Sequence, residues 1–114
     1  MLEKIDLHCH TIASDGELTP EGLVDLAVEK KLRAIAVTDH DSLASIKPAV
    51  EYSKDKNIEI ISGIEISCDD PLFDHDKIDI LGLLVDYNNK TLIGLIRHIN
   101  KKRDENKREI IKKL

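Results

Sequence analysis

The chain has 114 residues, enough for one ordinary domain and too few for two. Hydrophobic residues make up 41% and charged residues 34%, with one Phe, two Tyr and no Trp, so any core must be built from Ile, Leu, Val and Ala. This composition excludes disordered, collagenous and disulfide-stapled chains, and no apolar run approaches the roughly 20 residues of a membrane span. The net charge of −5 is uneven: residues 97–114 hold eight basic and three acidic groups, the first 96 residues nine and nineteen.

In chain order, residues 4–7 alternate as a short strand that runs into His8, Cys9 and His10. Thr19-Pro20-Glu21-Gly22 reads as a helix start, with Thr19 as N-cap and Pro20 at the first helical position. Helical spacing continues through Leu23, Leu26 and Ala27 to about Lys31. Residues 33–37 (RAIAV) form a second strand ending in Thr38-Asp39-His40-Asp41. Ser42 is placed to cap a second helix reaching about Lys54, with Pro48 as an expected irregularity. Residues 57–62 are a third strand, which residues 63–67 extend or follow; residues 68–77 read as a loop from their Asp and Pro content. Residues 78–85 are a fourth strand and 86–89 a turn. A basic helix then occupies about residues 91–114, with an apolar gap from Asn100 to Glu109 that lies exposed or projects from the body. Strand and helix alternate, which argues a parallel sheet with crossover helices.

The polar clusters fall at strand ends: Asp6, His8 and His10 after the first, Asp39, His40 and Asp41 after the second, and Glu65 after the third, with Asp79 near the start of the fourth. In open α/β sheets and β/α barrels that edge is where sites are built. His-x-His on a strand puts both imidazoles on one face, a ready grip for a divalent ion. Asp15, in a Ser-Asp-Gly turn, and His40 could complete that site or begin a second. Mixed imidazole and carboxylate donors suit Zn, Mn or Fe, and two such ions clamp a phosphate and generate hydroxide near neutral pH. Singly, His-x-His reads as two surface histidines, residues 38–42 as a helix cap with solvated charges, and Glu65 as a residue beside a Gly turn; three such clusters at successive strand ends are not surface decoration. Cys9 and Cys68 form no C-x-x-C pair and read as reduced, buried small hydrophobes, with Cys9 turned away from its flanking histidines. The segment MLEKIDLHCH lacks a signal peptide's apolar stretch, and the expected location is cytoplasmic.

The blocks DLHCHTIASDGELTPEGLVDLA, AIAVTDHDS and IISGIEIS resemble, in order and spacing, the PHP (polymerase and histidinol phosphatase) family, in its branch of metal-dependent phosphoesterases. The resemblance implies a distorted (β/α)7 barrel with two or more divalent metal ions at its mouth. Residues 1–114 would be its N-terminal portion, about four to five mainly parallel strands with crossover helices. It implies hydrolysis of phosphate esters, with nucleotides or oligonucleotide ends as substrates. On the matching positions, His8, His10, Asp15, His40 and Glu65 would be metal ligands. Asp15, His40 and Glu65 would also be catalytic, joined by Asp41 as a partner that orients an imidazole. Asp6 would brace the site from within the strand rather than ligate. The family's usual His before the fourth strand is Asp79 here, which can still ligate; His75 is the substitute, though a solvated loop position suits it better. The family's remaining ligands have no counterpart after Asp79, where His98 on the basic helix is the only histidine. A second chain or a homo-oligomer would then complete the barrel, and the alternative function is a metal-binding half-barrel inactive on its own.

Overall fold

A computed structural model describes residues 3–69 and 77–113. Its elements are β1 (Lys4–Cys9), α1 (Pro20–Glu29), β2 (Leu32–Val37), α2 (Ile46–Ser53), β3 (Glu59–Asp69), β4 (Lys77–Leu83) and α3 (Lys90–Lys113). The strands form one sheet in the order β1-β2-β3-β4. The pairs β1–β2 and β2–β3 are parallel, with α1 and α2 as the crossovers. This is the half-barrel arrangement of the expected fold. The fourth strand departs from it: β4 runs antiparallel to β3, from Gly63↔Leu83 to Asp69↔Lys77. Only residues 70–76 separate the two, whereas a parallel crossover needs a dozen or more residues. The predicted loop at 68–77, with His75, lies largely outside the described residues; Cys68 and Asp69 belong to β3 and Lys77 to β4.

Thr19 caps α1 by accepting the N–H of Gly22 at 3.0 Å, and Pro20 opens the helix where its missing N–H has no partner to lose. The helix ends two residues earlier than its spacing suggested, because Lys31 takes a φ of 60°. The cap expected at Ser42 is also displaced, since α2 begins at Ile46 behind Ser45. Asp41 turns the chain with a φ of 49°, and Ser42 Oγ accepts the N–H of Ala44 instead. Pro48 sits in the first turn of α2, where backbone N–H groups are orphaned anyway, so the helix is not broken.

The core is aliphatic and small: Val24 and Ala27 of α1, Ile35 and Val37 of β2, Ile46 and Ala49 of α2, and Ile58. Gly63 lies where three strands crowd. A Cβ there would sit 2.6 Å from Thr38 Cγ2 and 3.0 Å from the Gly82 carbonyl oxygen. Both cysteines are free but half-buried rather than fully enclosed. Cys9 packs against the core cluster, away from the histidines, and burial first, then the Asp6 charge, pushes its thiol up to about 12. It therefore stays a thiol. On β4, Ile78, Ile80, Leu81 and Leu83 are all exposed, so this edge strand is apolar on both faces. The basic helix α3 buries only Ile96. Among the described residues, no helix is long and apolar enough to cross a membrane.

Candidate metal centre

β1 delivers His8 within the strand and His10 one residue past its end, on the same face as the period of two requires. Their Nε2 atoms lie 2.8 and 2.7 Å from the same oxygen, Oε2 of Glu65. Glu65 lies inside β3 rather than after it. β2, having broken at Thr38, rejoins β3 through an isolated parallel bridge between His40 and Glu65. That bridge brings His40 Nε2 to 3.7 Å from Glu65 Oε2 and 3.3 Å from Asp15 Oδ2. Asp15 Oδ1 meets His10 Nδ1 at 2.5 Å.

Asp15 is held by the loop from Thr11 to Gly16. The buried Asp39 carboxylate accepts the Thr11 N–H at 2.6 Å, the Thr11 hydroxyl at 2.8 Å and the Ser14 hydroxyl at 2.7 Å. Thr11 Oγ1 also shares a hydrogen bond with Ser45 Oγ at 2.7 Å. Gly16 closes over the end of β1 so tightly that a Cβ would lie 2.5 Å from the His10 carbonyl oxygen. Asp6 Oδ1 accepts the His8 N–H at 3.0 Å.

Among the described residues three donor groups result: His8, His10 and Glu65; His10, Asp15 and His40; and His40, Glu65 and Asp79. Within each, one ligand atom per residue lies within 4.8 Å of the others. Shared donors chain the three groups together, as neighbouring ions with a bridging carboxylate require. Nitrogen and oxygen donors in this mixture fit divalent Zn, Mn or Fe. The sequence-predicted ligands thus converge, Asp79 included.

Asp41 is placed differently from its expected role. Its carboxylate accepts the Ser67 N–H at 3.0 Å and the Arg103 guanidinium, and among the described residues it bonds to no imidazole. Asn100 Nδ2 donates to its carbonyl oxygen at 3.1 Å. Asn100 and Arg103 were not singled out from sequence. Their signal is spacing: Ile96, Asn100 and Arg103 continue one helix face at i, i+4 and i+7. His98 lines the cleft beside Asp79 without joining a donor group among the described residues.

The cluster is a set of charge-assisted contacts. Burial of Glu65 alone would raise its pKa, but hydrogen bonds from His8 and His10 bring it below its ordinary value. Desolvation likewise opposes the shift of Asp15, which the His10 hydrogen bond lowers. Burial opposes protonation of His10, and its bonds to Glu65 and Asp15 raise it nonetheless. The carboxylate contributions to stability are present above ordinary values of 4.5 and 3.8 and lost as pH falls through the lowered ones. The His10 contribution is present below 6.5 and lost as pH rises through its raised pKa. Metal-free protein is therefore expected to melt highest between about pH 4.5 and 6.5, with Tm declining on either side. A Tm by circular dichroism that climbs steadily into alkaline pH would contradict this assignment.

These features define an α/β half-barrel whose mouth gathers side chains that could hold metal ions. Residues 6–114 match the model of the PHP domain, and the chain belongs to that family. It is 37% identical over 111 residues to a 5′-3′ exoribonuclease of Escherichia coli, covering 96% of this chain and 37% of the relative. It is 29% identical over 109 residues to a 3′,5′-nucleoside bisphosphate phosphatase of Chromobacterium violaceum, covering 96% and 37%. The solved structure of an amidohydrolase from Chromobacterium violaceum, with bound sulfate and no metal, superposes with a TM-score of 0.82. That protein is 30% identical, the match covering 93% of this chain and 36% of the other. The chain thus spans little more than a third of the length of these relatives.

Proposed function

We propose that this chain carries the N-terminal ligand set of a cytoplasmic, metal-dependent phosphoesterase acting on nucleotides or oligonucleotide ends. The observation that carries the reading is the convergence of His8, His10 and His40 on one Glu65 oxygen, with Asp15 bridging two of the three imidazoles. His8, His10, Asp15, His40, Glu65 and Asp79 would hold two or more divalent ions. Such ions supply Lewis-acid polarisation of a phosphate and a hydroxide nucleophile near neutral pH. The chain's own part is geometric. β1 and β3 fix the donors, Asp39 fixes the loop bearing Asp15, and a cleft of about 560 Å³ opens beside them. That cleft is lined by Ser14, Ser42, Asn100 and Arg97, which suit a phosphorylated ligand, beside the candidate donors Asp15 and His40 and the apolar Leu43, Ile93 and Ile96. The named activities of the exoribonuclease and bisphosphate phosphatase relatives support this substrate class.

The test is elemental analysis of Mn- or Zn-loaded protein, with phosphate release from an aryl phosphate, a nucleoside bisphosphate and a 5′-phosphorylated oligoribonucleotide. On the order of two ions per chain and metal-dependent release are expected, both lost in the His8→Ala/His40→Ala variant. Release that is unchanged in that variant would sink the reading.

A second reading is favoured by β4, whose exposed Ile78, Ile80, Leu81 and Leu83 leave an uncovered sheet edge. Here the chain binds metal without turnover until a second copy or another chain covers that edge. Metal uptake without phosphate release, beside a dimer or larger species in light scattering, is its signature.

A further inference from the structure

We propose that Arg103 is a positioning residue for the metal centre: by holding the buried Asp41 carboxylate, it locks together the segments that carry His40 and Glu65. This rests on the metal-centre reading above. The Asp41 side chain is wholly inaccessible, and the ion pair with Arg103 is its only charged contact among the described residues. Asp41 follows His40 directly in the chain. Its N–H donates to the Glu65 carbonyl at 3.0 Å, and its Oδ1 accepts the N–H of Ser67, two residues further along β3. One residue therefore grips β3 at and beyond Glu65 while sitting next to His40.

Asp41 does this with a φ of 49°, a left-handed backbone that needs external bonds to persist. Beside the two bonds to β3, α3 supplies two more, through Asn100 Nδ2 to the Asp41 carbonyl and through Arg103 to Oδ2. Because α3 buries only Ile96, this polar grip sets where the helix meets the loop. Arg103 offers no metal donor and acts on the centre through Asp41, directly and by way of Asn100. Without its cation the carboxylate would either draw in water or swing outward, and both loosen the register between His40 and Glu65. Lysine keeps the charge but loses the planar fork that also reaches Asn100 Oδ1.

The experiment measures Mn(II) affinity by calorimetry, and Tm, for wild type, Arg103→Met, Arg103→Lys and Arg103→Met/Asp41→Asn. Arg103→Met is expected to weaken Mn(II) binding by roughly ten- to a hundredfold at a temperature where it is folded, and Arg103→Lys to recover part of the loss. If Arg103→Met alone does not fold, the double variant decides. With no buried charge left, it should melt near wild type and still bind Mn(II) at least roughly tenfold more weakly. Wild-type Mn(II) affinity in a folded Arg103→Met or double variant overturns the proposal and leaves the metal centre standing. A wild-type protein that takes up no Mn(II) overturns both.

Discussion

Glu65→Gln is expected to strip the centre of metal while leaving the fold intact. Glu65 is the one carboxylate on which all three imidazoles converge, and its side chain is only 10% exposed. Glutamine has the same shape and still offers one oxygen, so β3 and its register should persist. It removes the negative charge from the point where two cations would otherwise repel each other. An ion at such a site supplies several kcal/mol of charge stabilisation, so metal-dependent phosphate release should fall by roughly two to three orders of magnitude. Elemental analysis after dialysis and an initial-rate assay check this side by side. A full metal complement with wild-type turnover would remove Glu65 from the centre.

Asp39→Ala is expected to have a large effect on stability, although Asp39 belongs to none of the donor groups. Asp39 is 1% exposed and Thr11 is fully buried, so the Thr11 N–H loses its acceptor with no water to replace it. An unsatisfied buried donor costs about 1–3 kcal/mol, and the lost hydroxyl bonds and the vacated space bring the total to about 3 kcal/mol. The Thr11 hydroxyl keeps Ser45 as a partner, which limits the damage. The urea midpoint should drop by roughly 1–2 M. Asp39→Asn, which retains one acceptor, should lose distinctly less. A midpoint indistinguishable from wild type in the Ala variant would show that the Thr11–Gly16 loop stands without Asp39. If the loop loosens as argued, Asp15 goes with it, and metal affinity falls in parallel with stability.

The clustering of these candidate donors was legible because it depends on local rules. His8 and His10 share a face by strand periodicity, and Asp15, His40 and Glu65 lie in short blocks whose order resembles a known family. What escaped depends on direction and on backbone handedness. The reversal of β4 follows from the shortness of its connection to β3, a length that uncertain strand ends concealed. Asp41 lies one residue from His40, which suggested an imidazole partner. A φ of 49° turns its side chain to the Ser67 amide instead. Arg103 looked like one more solvated cation in a basic helix, since no sequence pattern distinguishes an arginine facing solvent from one facing a buried acid 62 residues away.

The same contact divides α3 into two unlike parts. From Asp104 to Lys113 every residue is exposed, so this stretch keeps its shape through its own backbone hydrogen bonds alone. About ten residues without tertiary support stand near the balance point between helix and coil in water. Amide exchange should therefore be slow up to the Arg103 turn and fast beyond it. Any surface that covers Ile110 and Ile111, now 61% and 69% exposed, would meet the entropy of ordering those last turns as part of its own affinity.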